Sequence, residues 1–232
     1  MIHKELFGKG KHVMGMAYKG VTMLGSDTWG RCLGIIVAMI MLAGTDSVYA
    51  QKISGTINGH DYVDLGLSVK WATCNVGANK PSDYGNYYAW GETSTKSTYT
   101  EENSENYEMN IDYIKGDRLY DAARVNWGST WRLPTKEEMQ ELEHECTWTH
   151  VTRGGHEGSL ITGPNGNSIF LPSAGDRYGS SRYKADNYGY YWSATPNESD
   201  TKRAYILYFC GTDYAVLLRN RCRGLSIRPV TR

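Results

Sequence analysis

The chain lacks a charge imbalance and a long hydrophobic run. Its 232 residues carry 25 Lys and Arg against 25 Asp and Glu, so the global charge is uninformative. The distribution says more, because residues 202–232 carry seven basic residues against Asp213 alone; such an asymmetry can mark a binding face, although a solvated surface is the commoner cause. The longest apolar stretch, residues 33–44, has 12 residues, whereas a membrane-spanning helix needs ~20. We therefore predict no retained membrane span, and we predict no nucleic-acid partner.

Patterns that mark common catalytic and metal sites are also missing. No histidine after residue 50 falls in a Cys-x-x-Cys or His-Glu-x-x-His arrangement. Ser193 and Ser226 lack the neighbours of a nucleophile elbow, and no glycine-rich phosphate loop follows residue 50. His150, His156 and Glu157 could meet at a metal within one loop, but a solvated polar loop is the simpler interpretation. We predict no catalytic residue, no metal and no cofactor.

The N-terminal part has the layout of a secretory signal. Basic residues, including Lys19 and Arg31, precede the apolar stretch 33–44, and a small-residue site ending at Ala50 follows it. We predict a signal peptide over residues 1–50, a short polar lead over 51–60 and a single domain over 61–232. The protein is then expected to be secreted or held at the cell surface.

Four cysteines follow the predicted signal: Cys74, Cys146, Cys210 and Cys222. In an exported protein they permit two disulfides with three pairings, and the sequence does not choose among these. Cys146 falls on the apolar side of a predicted helix, so a buried free thiol is the alternative for that residue.

Residues 131–135 (WRLPT) are predicted to open an amphipathic helix of about three turns. Thr135 can serve as N-cap and Glu138 as its partner in a capping box. Apolar side chains then recur at offsets of three and four: Met139, Leu142 and Cys146.

Other segments have the patterns of strands, turns and loops. Alternation predicts a half-buried strand over 65–71, and glycines at 163–167 predict a hairpin between 160–161 and 169–171. Further strands are expected over 204–209, 215–223 and 225–230. Pro81 could open a short helix, and polar segments 93–110 and 173–188 are expected to be long loops. A helix followed by antiparallel strands is an α+β plan.

Several of these segments form an ordered set of landmarks. They are residues 63–72 (VDLGLSVKWA), 83–92 (DYGNYYAWGE), 131–135 (WRLPT), 146–148 (CTW), 163–172 (GPNGNSIFLP), 189–193 (GYYWS) and 225–230 (LSIRPV). Over residues 60–232 the chain resembles the Fibrobacter succinogenes major paralogous domain, a family of secreted and surface proteins from gut-type Bacteroidetes. More distantly it resembles the C-type-lectin-like fold shared by formylglycine-generating enzymes and by the variable proteins of diversity-generating retroelements. The resemblance implies short helices packed on a mostly antiparallel, twisted sheet.

Two activities known for the lectin-like fold do not fit this sequence. Formylglycine-generating enzymes bind copper through a close pair of C-terminal cysteines, whereas eleven residues separate Cys210 from Cys222. Calcium-dependent lectins use Glu-Pro-Asn or Gln-Pro-Asp with Trp-Asn-Asp. This chain has Thr-Pro-Asn at 195–197 and no Trp-Asn-Asp, so the calcium ligands are missing.

The composition favours binding. The chain has 18 Tyr, 7 Trp and 26 Gly, which supply rigid contact area beside adaptable loops, although Trp71, Trp90, Trp131 and Trp192 are expected in the core. Alternation along 215–223 places three arginines on one side, which should face solvent or a ligand. In the retroelement variable proteins the corresponding region carries the sequence diversity. We predict a ligand-binding surface of Tyr208, Asp213, Tyr214, Arg219, Arg221 and Arg223.

The predicted function is that of an exported non-catalytic recognition module for a protein or glycan ligand. The alternative is a surface or pilus-associated structural subunit, whose sheet edge or termini join an assembly. A formylglycine-generating-type oxidase ranks last.

Overall fold

The structure, a computed structural model, describes residues 51–232. The predicted signal peptide over 1–50 lies outside the described residues. The strands are β1 Gly55–Ile57, β2 His60–Val63, β3 Lys70–Ala72, β4 Thr147–Arg153, β5 His156–Thr162, β6 Ser168–Pro172, β7 Asp176–Tyr178, β8 Ser181–Tyr183, β9 Tyr188–Pro196, β10 Arg203–Cys210, β11 Asp213–Asn220 and β12 Val230–Thr231. The helices are α1 Ala122–Trp127 and α2 Lys136–Glu145.

The strands form four small sheets in the orders β1-β2-β3-β12, β11-β10-β9, β4-β5-β6 and β7-β8. Each ladder between these strands is antiparallel. Two short helices beside antiparallel sheets make the described region an α+β protein rich in sheet, as predicted. No helix within 51–232 has the length and apolar character needed to cross a bilayer.

The predicted capping box at the start of α2 is confirmed. The Thr135 hydroxyl accepts from the Glu138 backbone N–H at 3.2 Å, and the Glu138 carboxylate accepts from the Thr135 N–H at 2.9 Å. Arg132 donates to the same carboxylate from two nitrogens, at 2.7 and 2.6 Å. Arginine therefore has a structural role in the WRLPT segment, because it pairs the buried charge of Glu138.

The β9-β10-β11 sheet has a core on each of its faces. One face packs on α2 and buries Tyr191, Leu207 and Phe209 against Met139 and Leu142. The opposite face contributes Trp192 and Ile206 to a cluster with Trp90 and Trp131. All four tryptophans predicted in the core are buried: Trp71, Trp90, Trp131 and Trp192.

The strand predicted over 225–230 is largely wrong, since only residues 230–231 form a strand. The preceding residues are extended, and Arg228 lies among them with 1% of its surface exposed. Its guanidinium donates to the Asn75 side chain and to three backbone carbonyls, those of Ala72, Thr73 and Phe170. The segment therefore follows the acceptors that a buried arginine needs and not a continuous ladder.

Other boundaries also differ from the predictions. Over 65–71 only residues from Lys70 onward are in a strand, because Gly66 has a φ of +79° that breaks extended pairing. Pro81 lies in a turn and not a helix. The predicted loop 173–188 contains the β7–β8 hairpin, and the strand predicted over 215–223 ends at Asn220.

The hairpin predicted around 163–167 is confirmed as β5–β6, and the loop predicted over 93–110 holds neither helix nor strand. Disulfides are absent from the described residues: Cys74, Cys146, Cys210 and Cys222 are free.

Candidate functional site

The β7–β8 hairpin presents one polar and aromatic face. Asp176 pairs with Tyr183 and Tyr178 pairs with Ser181, so these alternate residues share a side. Gly175 enters the hairpin with a φ of +67°, and a Cβ there would lie 2.1 Å from the Tyr183 carbonyl oxygen. Glycine is therefore required for this close approach.

The hairpin is fixed to the end of the chain. Arg177 and Gly224 exchange two backbone hydrogen bonds, at 2.8 and 3.0 Å. This pairing brings the polar side of the hairpin next to residues that follow β11.

Asp176 is the centre of the site. Its side chain is 1% exposed, and its Oδ2 accepts from Arg219 Nη2 and from Arg223 Nη1, at 2.5 and 2.8 Å. Two guanidiniums thus neutralise a carboxylate that would be costly to bury alone. These residues border a cleft of about 270 Å³, which we name the arginine–tyrosine cleft. It is lined by Asp176, Tyr178, Tyr183, Lys184, Arg219 and Arg223.

Each cation of the cleft lies over a tyrosine ring. The pairs, with their distances to the ring centroid, are Arg219–Tyr190 at 4.6 Å, Arg223–Tyr178 at 4.7 Å and Lys184–Tyr188 at 4.2 Å. Such contacts are attractive and limit how far the long side chains move. The cations are therefore held in place before any ligand arrives.

A row of tyrosines on the sheet continues from the cleft. Tyr190 lies 5.9 Å from Tyr188 and 5.6 Å from Tyr208, measured between ring centroids. Burial raises the pKa of Tyr190 to about 12, although the neighbouring Arg219 opposes the shift. Burial also raises the pKa of Tyr208. The phenols stay protonated at neutral pH and can donate hydrogen bonds.

The structure brings together part of the predicted ligand-binding surface. Tyr208 is the cross-strand partner of Ala215, and Asp213 and Arg219 alternate with Ala215 along β11, so all lie on one face. Arg223 joins this group through Asp176.

Two predicted residues lie elsewhere. Tyr214 is on the opposite face, where its ring stacks on Trp148 with centroids 4.5 Å apart. Arg221 is buried; its guanidinium lies 4.1 Å from the centroid of Trp90 and donates to the backbone carbonyls of Arg203 and Met109. Burial lowers the pKa of Arg221 to about 10.

The expectation that the three arginines share an exposed face is therefore wrong. The alternation on which it depends ends with β11 at Asn220, and the chain turns at Arg221 and Cys222. Sequence reasoning also missed Asp176, Tyr178, Tyr183 and Lys184, which lie in a segment that its composition assigns to a loop.

His150 and His156, which the sequence offered with Glu157 as a metal group, have separate partners. His150 pairs with Glu157 at 2.9 Å, whereas His156 Nδ1 contacts the Tyr84 hydroxyl at 2.9 Å and Asp186 at 3.2 Å. Within residues 51–232 no three His, Cys, Asp or Glu side chains are grouped to hold a metal ion.

No protein-family model, curated protein or solved structure matches the chain. A proposal for the function must therefore rest on the chemistry of the cleft.

Proposed function

We propose that the chain is an exported, non-catalytic recognition module, which binds a protein or glycan ligand through its C-terminal strands and loops. The arginine–tyrosine cleft is the observation that carries this proposal. Arginine and tyrosine are enriched among residues that dominate binding energies. In the cleft both residue types are partly exposed, and each guanidinium is held by a ring and by Asp176.

The proposal includes a C-type-lectin-like fold and the resemblance to the Fibrobacter succinogenes major paralogous domain. Short helices packed on antiparallel sheets support that fold class. It also includes export to the cell surface or beyond after removal of residues 1–50. N-terminal sequencing of the exported protein should then begin at Gln51, and a membrane-bound form retaining residues 33–44 would contradict the predicted cleavage.

An array of glycans and of host and bacterial surface proteins tests recognition. We expect a ligand that binds the wild-type chain and loses affinity when Arg223→Lys replaces the guanidinium fork by a single ammonium. Arg203→Ala is the matched control, because this exposed arginine pairs with Asp200 away from the cleft. Oxidation of a cysteine-containing peptide with copper, without any ligand in the array, would favour the oxidase instead.

The alternative, a surface or pilus-associated subunit, is favoured by one observation. β11 is an outer strand of its sheet, and Leu217 on it is exposed. An outer strand offers unpaired backbone groups to another chain. Native mass spectrometry separates the two functions: stable polymers support assembly, whereas a monomer supports recognition.

A further inference from the structure

The arginine–tyrosine cleft has an excess of positive charge. Arg219, Arg223 and Lys184 are its cations, and Asp176 is the one carboxylate among its lining residues. Three cations against one carboxylate leave a net charge of +2 at neutral pH. A concave site lined mostly by one sign of charge concentrates ligands of the opposite sign.

The two guanidiniums keep donors for such a ligand. Each uses one nitrogen on Asp176, and both reach the same oxygen. Asp176 is the only hydrogen-bond acceptor of either guanidinium within residues 51–232. Arg219 Nε is buried, so the donors that remain for a ligand are those of the terminal nitrogens, which carry four N–H groups in each guanidinium. Because 29% of the Arg219 side chain and 28% of the Arg223 side chain stay exposed, a second anion can reach them from solvent.

The size of the cleft and its exposed rings favour a sugar. Its volume of about 270 Å³ lies just below the ~300–1,000 Å³ of drug-sized sites, so it has room for one ring-sized group. Tyr178 and Tyr183 are both exposed and lie on the same side of the hairpin as Asp176. Each presents an apolar ring with a hydroxyl at its tip, which matches the apolar C–H face and the hydroxyls of a sugar ring. An acidic peptide side chain offers charge without such a ring.

We propose that the cleft binds an acidic sugar residue, of the uronic acid class, in a larger glycan. The sugar carboxylate accepts hydrogen bonds from Arg219 and Arg223, and the sugar ring lies against Tyr178 and Tyr183. This inference rests on the recognition function proposed above and names its ligand class.

Calorimetric titration of the purified full chain with sodium glucuronate tests the inference. Glucose, inorganic sulfate and triglutamate are the comparison probes. We expect binding of glucuronate that weakens as salt is added, and no binding of glucose. Equal binding of glucose would contradict the role of charge. Sulfate bound as tightly as glucuronate would reduce the cleft to a simple anion site, and tighter binding of triglutamate would identify an acidic peptide.

Variants separate the contribution of the tyrosine ring to binding from that of the positive charge. Tyr183→Ala leaves the ion cluster intact, so we expect glucuronate affinity to fall about tenfold while any sulfate binding is unchanged. Arg203→Ala should bind glucuronate like the wild-type chain. Should the array yield a ligand that is insensitive to both Tyr183→Ala and Arg223→Lys, the recognition function stands and this inference fails.

Asp176→Asn tests the inference with a substitution that should strengthen glucuronate binding. It raises the net charge of the cleft from +2 to +3, so we expect tighter binding of glucuronate. The anion should also raise the melting temperature of this variant more than that of the wild-type chain, because it restores the lost counter-charge. A folded Asp176→Asn chain with unchanged or weaker affinity would overturn the inference. If this variant does not fold, Tyr183→Ala and Arg223→Lys decide.

Discussion

Truncation of Arg228 should destabilise the fold severely, because this cation is buried and has no carboxylate partner among residues 51–232. Its guanidinium donates to Asn75 Oδ1 at 2.8 Å and to the carbonyls of Ala72 at 3.0 Å, Thr73 at 2.6 Å and Phe170 at 3.0 Å. One side chain therefore joins three separate segments of the chain. Burial lowers the pKa of Arg228, because desolvation disfavours its charged form.

The magnitude follows from the acceptors that are left behind. In Arg228→Ala four buried oxygens lose their donor, and each such loss costs ~1–3 kcal/mol. Relief from burying the charge offsets part of this sum, so we expect a net loss of ~3–5 kcal/mol, at the upper end of what single substitutions cost. A domain with ~5–15 kcal/mol of stability would lose about a fifth or more of it.

Equilibrium unfolding in urea measures this loss. Arg228→Met keeps most of the volume without any donor, so the difference between the Met and Ala variants gives the cost of the cavity. Arg228→Lys keeps the charge but donates from a single atom, and it should fall between the wild-type and Met proteins. Arg203→Ala, at an exposed ion pair, should cost no more than ~1 kcal/mol. An Arg228→Ala protein as stable as this control, with an unchanged denaturant slope, would refute the reasoning.

Three further predictions follow from the fold. Thr135→Ala should lose ~1 kcal/mol in urea unfolding, whereas Thr135→Ser, which keeps the capping hydroxyl, should lose little. Burial raises the pKa of Asp121 to about 6 despite backbone hydrogen bonds that lower it, so its contribution to stability is full below its ordinary pKa of 3.8 and disappears as the pH rises through 6. A carboxyl resonance of Asp121 that titrates near 3.8 in an NMR pH series would contradict this. Tyr214→Ala should lower the melting temperature through the lost stack on Trp148 and leave glucuronate binding unchanged; weakened binding in a folded variant would return Tyr214 to the ligand surface.

Local signals in the sequence predicted the elements that depend on local contacts. The α2 capping box and the β5–β6 hairpin are such cases, since their partners are close in sequence. The alternation over 65–71 did predict buried side chains, with Leu65 and Val69 in the core, but burial does not require a paired strand. α1 was not predicted because it has only six residues, which carry no amphipathic period.

The candidate site was only partly predictable for a different reason. Period-two alternation correctly placed Arg219 on the same face of the sheet as Tyr208, but it does not apply to residues beyond the end of β11. Asp176 lies 43 residues from Arg219 and 47 from Arg223, so no local pattern joins these residues. The docking of the β7–β8 hairpin on Gly224 brings the carboxylate to the arginines.

The pairing of β12 with β3 has a consequence for how the protein folds during synthesis. Val230 pairs with Trp71 and Thr231 with Lys70, so the first sheet gains its last strand only after residue 231 has been made. Arg228, which joins the same early segment to Phe170, becomes available at nearly the same moment. Until residues 228–231 have been made, a nascent chain lacks both contacts, and contacts so distant in sequence form slowly. Folding of the first sheet is therefore expected to wait for residues 228–231.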